Sequence, residues 1–325
     1  MERTIHLVRA DQETYTHGHA PSVLRSHTNR TVANSAAYLA HRLVPGTTVL
    51  DVGCGPGTIS IDIAAHVAPG TVSGPSTICG GGAQREERAQ ALGAQIVDNE
   101  GPRTLRAERG SGTVLAIDAT EAPLAGARER ATAAGISTVT FTVGDAYALD
   151  APDGDIDSGF DVVHAHQVLQ HLGDPVAALR EMLRVCRTGG VVAARDADYA
   201  AMTWYPADPL LDRWLAIYRA VALRNGAQPD AGRHLLEWVH AAGAGSVTPS
   251  ASVWCYATPE DRAWWGGMWA ERIVDSDLTR QAIDGGVADE SELRAIAAAW
   301  RAWATHPDGW FTVLHGEVLA TPIRD

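Results

Sequence analysis

Short apolar runs alternate with segments of helical periodicity between residues 47 and 197. The apolar runs have the length of buried strands, and apolar side chains three and four positions apart mark the intervening segments as helices. Strands that are apolar throughout and joined by helices form a parallel sheet with helices on both faces. We predict strands at 47–52, 113–118, 138–143, 160–166 and 191–197, and helices at 32–43, 58–67, 122–135 and from Pro175 to the glycines at 189–190.

The pattern changes after Tyr199, where longer helical segments dominate. Two later strands are expected to complete a doubly wound, mainly parallel α/β sheet of seven strands. The two helices between those strands are expected to form a lid over the carboxyl ends of the first strands. The predicted helices are 209–226, 232–243, 262–274 and 291–304, and the predicted strands are 252–257 and 311–323.

One segment, 73–112, interrupts this order with a glycine-rich and charged composition. The triplet Gly-Thr-Val stands at both of its edges, at 70–72 and at 112–114. The acids Asp51 and Asp118 are 67 residues apart, and removing 71–112 would leave 25, close to the spacing of about 20 residues in nucleotide-binding βαβ units. We predict a flexible surface insertion; a lid, a partner-binding loop or retained non-coding sequence are the alternatives.

Charge and cysteine usage exclude several classes of protein. The net charge is −13 and no Lys/Arg-rich run occurs, which argues against a nucleic-acid partner but not against a cationic cofactor. The cysteines are far apart and lack metal-site spacing, as expected of thiols in a reducing cytoplasm. The N-terminus does not resemble a signal peptide, and no apolar run is long enough for a membrane span. We therefore expect a cytoplasmic monomer or homodimer that acts on a small molecule.

The stretch "DVGCGPG" at 51–57 places an acid ahead of three glycines. Glycine allows positive φ and lets a ligand approach the backbone, and the N-terminus of the following helix offers free N–H groups. A pyrophosphate-binding turn would instead carry the spacing G-x-G-x-x-G. A carboxylate at this turn would repel a pyrophosphate, whereas it suits an ammonium or sulfonium group.

This chain resembles the class I S-adenosylmethionine-dependent methyltransferases, and within that class the ubiquinone/menaquinone C-methyltransferase-like group. The resemblance implies S-adenosyl-L-methionine as cofactor and methyl transfer as activity. It also implies a cap over the cofactor at 1–45, a cofactor-binding core at 46–200 that contains the insertion, and a C-terminal part at 201–325 that completes the sheet and carries the lid. The motifs that carry it are "VLDVGCGPG" (49–57), "VLAIDAT" (114–120), "FTVGDAYAL" (141–149), "FDVVHAHQVLQHL" (160–172) and "AARDADY" (193–199).

The same resemblance assigns cofactor contacts residue by residue. Asp118 is expected to accept from both ribose hydroxyls, and Asp145 from the adenine amine with the N–H of Ala146 near the ring. The N-terminal run at 15–31 resembles a subgroup of these enzymes that has an aromatic residue where Asn29 stands and an acid near Ala33, and this chain departs from the subgroup at both places. The other expected cofactor contacts are Tyr15, His19, Arg25, Asp51, Gly53, Cys54, Gly55, Ala119, His166 and Gln167. No metal site is expected, since the "HGH" run at 17–19 lacks a fixed third ligand.

Two residues at strand ends are candidates for proton transfer. A hydroxyl or protonated amine acceptor must lose a proton, for which His166 is the first candidate and Asp196 the second. A phenolate or enolate carbon needs no strong base. Alternating side chains place His164 and His166 on one face of their strand, and His171 is expected to cap or pack against the helix from Pro175.

The two lid helices are rich in tryptophan: Trp264, Trp265, Trp269, Trp300 and Trp303. Some of these side chains are expected to line an apolar pocket for a partly aromatic acceptor. The alternative is that they only attach the lid to the sheet. Two other functions stay open, namely a non-catalytic S-adenosylmethionine-binding protein and a nicotinamide-dependent oxidoreductase on a similar sheet.

Overall fold

The computed structural model describes residues 29–68, 112–151, 153–154 and 158–323. Tyr15, His19, Arg25 and the predicted insertion, apart from Gly112, lie outside the described residues. Within the described part, one sheet with the order β3-β2-β1-β4-β5-β8-β6 forms the centre of the fold, and β7 pairs with β8. The strands are β1 Thr48–Val52, β2 Thr113–Asp118, β3 Val139–Val143, β4 Phe160–His166, β5 Cys186–Ala197, β6 Thr203–Tyr205, β7 Ala244–Tyr256 and β8 Trp310–Pro322.

Strands β1 to β5 are parallel, and β8 runs antiparallel to β5 and β7. The predicted mainly parallel, doubly wound sheet is confirmed, but the described sheet has eight strands instead of seven. The additional strand is β6, whose Thr203 pairs with Thr312. The last pair between β5 and β8 is Ala197 with His315, and β8 continues past this pair. The chain that follows β5 therefore pairs with the remaining part of β8 as the short strand β6.

Nine α-helices are described, most of them close to their predicted positions. Asp174 begins α4 as predicted, because its side chain accepts from the N–H of Ala177 and proline follows it. The helices are α1 Val32–Ser35, α2 Thr58–Val67, α3 Glu121–Ala133, α4 Pro175–Val185, α5 Pro209–Arg224, α6 Leu235–Ala241, α7 Pro259–Arg272, α8 Asp277–Asp284 and α9 Glu290–Thr305.

The predicted helix at 32–43 is broken at Ala36, whose φ of −139° is not helical, and continues as a 3₁₀ turn at Ala37–Arg42. Helix α8 was not predicted. Strand β5 begins at Cys186, earlier than predicted, because Phe160 pairs with Cys186 while Val162 pairs with Val191. The extra residues on β5 form a bulge, so the glycines at 189–190 lie within the strand instead of ending the preceding helix.

Apolar side chains cover both faces of the sheet, as a doubly wound fold requires. One face packs Leu39, Ile63 of α2 and Leu124 of α3 against β1 and β2. The opposite face packs Leu179 of α4 and Val239 of α6 against β4 and β5. No helix among the described residues is long and apolar enough to cross a membrane.

A third apolar core joins the C-terminal helices to β8. Trp214 of α5 lies 4.5 Å from Trp269 of α7 and 4.9 Å from Trp300 of α9, ring centre to ring centre. These three side chains and Phe311 of β8 are completely buried. Of the five tryptophans of which some were expected to line an acceptor pocket, Trp269 and Trp300 do not, because packing against other indoles covers both. They attach the helices to one another and to the sheet.

Candidate active site

The parallel strands place the predicted site residues along one edge of the sheet. Asp118 ends β2, Asp145 follows β3, His166 ends β4 and Asp196 lies near the end of β5. Neighbouring strands run in the same direction, so their carboxyl ends meet at this edge, where open α/β sheets bind ligands. The fold thus brings together residues that are distant in the chain.

The turn after β1 requires glycine at two positions. Gly53, Gly55 and Gly57 all have positive φ, at 70°, 54° and 76°, which side chains rarely tolerate. A Cβ at Gly53 would lie 2.4 Å from Cγ2 of Val168, and one at Gly57 would lie 2.7 Å from the Phe141 ring. The backbone of this turn is therefore held close to β3 and to the chain after β4, at the start of α2.

Asp118 is joined to the glycine turn. Its Oδ2 accepts from the N–H of Gly55 at 2.9 Å, and its Oδ1 lies 3.3 Å from the N–H of Thr120. These two backbone bonds orient the carboxylate beside the glycine turn. Ala119, which follows Asp118, is exposed. The N–H of Cys54 in the glycine turn donates to the carbonyl oxygen of Ile117 in β2.

Asp145 is held in a similar way after β3. Its Oδ1 accepts from the N–H of Tyr147 at 2.8 Å, and a backbone bridge joins Asp145 to Ala148. This tight turn places Ala146 against the sheet, where its side chain is nearly buried. The Asp145 carboxylate therefore has a fixed orientation at the edge, close to the end of β2.

The Asp51 carboxylate is hydrogen-bonded to side chains inside the fold, which the sequence did not indicate. Its Oδ2 accepts from the hydroxyl of Ser60 at 2.5 Å, and its Oδ1 lies 2.7 Å from Nδ1 of His164. Both Asp51 and His164 are buried. Because the Asp51 side chain is buried and bonded to Ser60 and His164, it can influence a ligand at the edge through its negative charge more readily than by direct contact.

His166 lies among aromatic and cationic groups. Its Nδ1 is 3.5 Å from a guanidinium nitrogen of Arg195, and its ring is 5.7 Å from the Trp254 ring. Burial and the charges of Arg30 and Arg195 hold the pKa of His166 well below its usual range. A guanidinium can only donate, so Nδ1 of the neutral ring accepts and Nε2 carries the hydrogen. This geometry makes His166 a hydrogen-bond donor at Nε2 and a poor proton acceptor.

Asp196 is the other candidate for proton transfer, and its environment differs. Its Oδ1 accepts from the N–H of Gln170 at 3.2 Å, whereas its buried Oδ2 has no hydrogen-bond partner in the described part of the chain. Burial raises the pKa of Asp196 to about 8. Because His166 pairs with Arg195 across the strands, the side chains of His166 and Asp196 leave the sheet on opposite faces. They do not act as one hydrogen-bonded pair.

A chain of hydrogen bonds that the sequence did not reveal runs through Gln167, which has a φ of 54°. A guanidinium N–H of Arg30 donates to Oε1 of Gln167 at 2.5 Å. The amide of Gln167 lies 2.9 Å from Nε2 of His315, and Nδ1 of His315 lies 3.1 Å from the carbonyl oxygen of Val313. A carbonyl only accepts, so Nδ1 of His315 donates and its Nε2 accepts from Gln167. The one available signal was a histidine in a mostly apolar C-terminal strand.

Arg195 forms a second polar group on the same face. It bonds Oε1 of Glu317 at 3.1 Å and the hydroxyl of Ser252, and both charged side chains are buried. The Arg195 guanidinium lies 4.9 Å from the centre of the Trp254 ring, and that of Arg30 lies 5.7 Å from it. Trp254 thus contacts two guanidinium groups, and cation–π attraction to the ring stabilises both of them.

His171 lies beside the candidate site and not at its centre. Its Nε2 is 3.0 Å from the side-chain nitrogen of Gln170, and burial lowers its pKa to about 3. Nearby, the two carboxylate oxygens of Asp198 each accept a hydrogen bond from the guanidinium of Arg233. Among the described residues, no group of His, Cys, Asp or Glu is arranged to hold a metal ion.

Comparisons with known proteins find similarity to methyltransferases. A family model described as a methyltransferase domain matches residues 101–243. An uncharacterized methyltransferase of Schizosaccharomyces pombe is 30% identical over 311 residues, which cover 95% of this chain and 96% of that protein. The 2-methyl-6-phytyl-1,4-hydroquinone methyltransferase of a Synechocystis species is 25% identical over 270 residues, covering 78% of this chain and 63% of that protein. Among solved structures, the YcgJ protein of Bacillus subtilis has a TM-score of 0.50 at 16% identity, covers 89% of this chain and 98% of that one, and is similar in fold.

Proposed function

This chain belongs to the class I S-adenosylmethionine-dependent methyltransferases, and we propose that its acceptor is a small, partly aromatic metabolite. The bound cofactor supplies an activated methyl group on a sulfonium, so the protein needs no nucleophile of its own. The task of the chain is to position the two reactants and to exclude water. The observation that carries the proposal is the meeting of the oriented carboxylates of Asp118 and Asp145 at one edge of the sheet with two buried polar atoms, Nε2 of His166 and Oδ2 of Asp196, that have no hydrogen-bond partner among the described residues.

The residues present fit the cofactor. The glycine turn brings backbone to the ligand side without a Cβ, and backbone N–H groups orient the Asp118 carboxylate beside it. We assign Asp118 to the ribose hydroxyls and Asp145 to the adenine amine. Asp51 lies behind the turn and lends negative charge that favours the sulfonium and ammonium groups. Gly53, Cys54, Gly55, Ala119, Ala146 and Gln167 complete the proposed cofactor contacts.

Aromatic side chains stand on the acceptor side of the edge. Tyr199 follows β5 and stacks on Tyr218 at 4.1 Å, while Tyr256 at the end of β7 stacks on Trp265 at 4.3 Å. Tyr256 and Trp254 are only half-buried, so part of each ring is accessible to a ligand. Tyr256 and Trp254, and not the buried Trp269, form the proposed aromatic wall. The similarity to a hydroquinone methyltransferase supports an aromatic acceptor.

Asp196 is the proposed proton acceptor. A carboxyl with a pKa of about 8 is well matched to removing a proton from an acceptor hydroxyl near neutral pH. Its Oδ2 has no partner among the described residues and can accept that proton. His166 contributes differently, since its Nε2–H donates and can bind an acceptor oxygen. For a phenolate or enolate carbon, no base is needed before the methyl group is transferred.

A mass-shift screen tests this function. The full chain is incubated with S-adenosylmethionine and separate pools of hydroxylated aromatic, quinol-type and aliphatic metabolites, and products are sought at the mass of one added methyl group. We expect products from the aromatic pools, and none when S-adenosylmethionine is omitted. Methylated tRNA or protein as the product would contradict the acceptor class. Cofactor binding without product from any pool would favour the non-catalytic alternative, and reduction of a substrate with NADH would favour an oxidoreductase.

A further inference from the structure

Gln170 contacts Asp196, the proposed proton acceptor, from the 3₁₀ turn Leu169–His171 that follows β4. The N–H of Gln170 donates to Oδ1 of Asp196 at 3.2 Å, and the two residues are 4% and 0% exposed. The carbonyl oxygen of Gln170 accepts from the N–H of Gln228 at 2.9 Å. Backbone hydrogen bonds on both sides therefore fix the position of Gln170 relative to the carboxyl group.

The orientation of the Gln170 amide is set by His171. The amide nitrogen lies 3.0 Å from Nε2 of His171, and burial lowers the pKa of that ring to about 3, so the ring is neutral. Because an amide nitrogen only donates, Nε2 of His171 accepts from it. The amide oxygen Oε1 of Gln170 is therefore left to accept from a different donor.

Two buried oxygen atoms of these joined residues lack a donor. Oε1 of Gln170 and Oδ2 of Asp196 have no hydrogen-bond partner in the part of the chain that the structure describes. An amide oxygen and an ionised carboxylate only accept, so they cannot bond to each other, and burying both without a donor is unfavourable. One hydrogen on Oδ2 serves both atoms, because a protonated carboxyl donates and Oε1 can accept from it.

We propose that Gln170 is a positioning residue for Asp196, and that its Oε1 accepts a hydrogen bond from Oδ2–H once Asp196 has taken the proton of an acceptor hydroxyl. The inference rests on the proposed function and deepens it. The O–H bond of the acceptor breaks and an O–H bond forms at Oδ2. The acceptor oxygen bonds to the methyl carbon while the bond from that carbon to the cofactor sulfur breaks, and the electron pair of that bond stays on the sulfur. The proton remains on Asp196.

A hydrogen bond that only the protonated carboxyl can make favours that form of Asp196. It raises the pKa of the acid and so makes Asp196 a stronger base toward the acceptor. Burial already raises the pKa of Asp196 to about 8, and the charges of Arg195 and Arg30 oppose this shift. Two ion pairs lie at neighbouring positions, Arg195 with Glu317 and Arg233 with Asp198.

The other titratable groups around Asp196 are held away from neutral pH. Burial raises the pKa of Tyr38, to which Asp196 contributes as well. Burial also lowers the pKa of three histidines on neighbouring elements: His166, His171 and His315. These rings are therefore neutral in the range where Asp196 titrates, and a titration near pH 8 can be assigned to Asp196.

An NMR titration tests the role of Gln170 without a known acceptor. The full chain is labelled at Cγ of aspartate, and the Asp196 signal is identified as the one that Asp196→Asn removes. Gln170→Met keeps the length of the side chain but lacks the acceptor oxygen, and should lower the pKa of Asp196 by about one pH unit, as expected for one lost hydrogen bond. The matched control is Gln228→Met, which removes a nearby half-buried amide whose oxygen bonds the N–H of Asp230 and should leave the pKa unchanged.

A second measurement does not depend on the folding of Gln170→Met. With glutamine labelled at Cδ, one signal of the unmodified chain should titrate with the same midpoint as Asp196. This titration should disappear in Asp196→Asn, whose amide can still donate to Oε1 at every pH. An unchanged pKa of Asp196 in Gln170→Met, or the absence of a glutamine signal that follows Asp196, would overturn the role of Gln170.

The proposed function is tested separately on the same samples. The pKa of Asp196 is measured in the free chain, so it is obtained whether or not the cofactor binds. Calorimetry with S-adenosylhomocysteine is then performed on the unmodified chain, and binding is expected. Failure to bind S-adenosylhomocysteine would overturn the proposed function, whereas a failure confined to the titrations would overturn only the role of Gln170.

Discussion

His164 Nδ1 lies 2.7 Å from Asp51 Oδ1, and both side chains are buried between β1 and β4. The register places Asp51 directly opposite His164, so this contact joins the glycine turn to the strand that ends in His166. Because Ser60 of α2 binds the other oxygen of Asp51, one carboxylate ties two strands and a helix together below the site.

Replacing His164 tests the importance of this contact. His164→Phe leaves Oδ1 of Asp51 buried without its partner, and we expect the free energy of unfolding to fall by about 1–3 kcal/mol. His164→Asn retains an N–H donor near the position of Nδ1 and should lose less. Urea denaturation followed by circular dichroism measures both. Equal stability of the two variants would show that the hydrogen bond is not what stabilises this region.

Asp118→Ala is expected to weaken S-adenosylmethionine binding about tenfold or more, because a charge-assisted hydrogen bond contributes about 1.5–3 kcal/mol. The control is Glu121→Gln, which changes an exposed acid three residues later that pairs with Arg128. Isothermal calorimetry compares the two variants with the unmodified chain. A similar affinity in all three proteins would remove Asp118 from the cofactor site.

The raised pKa of Asp196 implies that the stability of the protein depends on pH. Its pKa rises from 3.8 in the unfolded chain to about 8 in the folded one, so folding takes up a proton between these values. The free energy of unfolding should therefore decrease as pH rises through this range. Asp196→Asn lacks this proton, so its stability relative to the unmodified chain should increase from pH 4 to about pH 8. A constant difference between the two proteins across that range would contradict the raised pKa.

Trp269→Ala is expected to reduce the free energy of unfolding by about 3–5 kcal/mol, because it leaves a cavity among fully buried indole rings. Trp264→Ala, on the same helix but only half-buried, is the control and should cost less. Guanidinium denaturation of both variants gives the comparison. A Trp269→Ala protein of normal stability but weakened acceptor binding would restore the interpretation of Trp269 as a pocket residue.

Deletion of residues 71–112 is expected to leave the fold and cofactor affinity intact. Helix α2 ends at Val67 and β2 begins at Thr113, and a Cβ at Gly112 would lie 2.2 Å from the Val67 oxygen. The two ends are therefore close, and in the shortened chain Gly70 would occupy the place of Gly112. Thermal unfolding and calorimetry with S-adenosylmethionine check this. A large fall in the unfolding temperature would mean that the segment contributes to the core.

The sequence alone determined the order of strands and helices, the mainly parallel sheet and the edge at which Asp118, Asp145, His166 and Asp196 meet. These features depend on apolar periodicity and on the glycine turn, which are local. Strand β6 and the bulge in β5 were missed because they depend on pairing with distant strands. Local sequence carries no information on which neighbour a strand will gain.

Only the tertiary structure decided what the polar residues of the site do. Asp51 was predicted to face a ligand, but its contacts with Ser60 and His164 follow from the packing of β1 against α2 and β4. His166 became a donor because Arg195 lies beside it, and Asp196 gained a high pKa because it is buried. Charge, tautomer and exposure depend on groups far away in the chain. They are therefore set when the sheet assembles, whereas the residues that form its edge can be recognised beforehand.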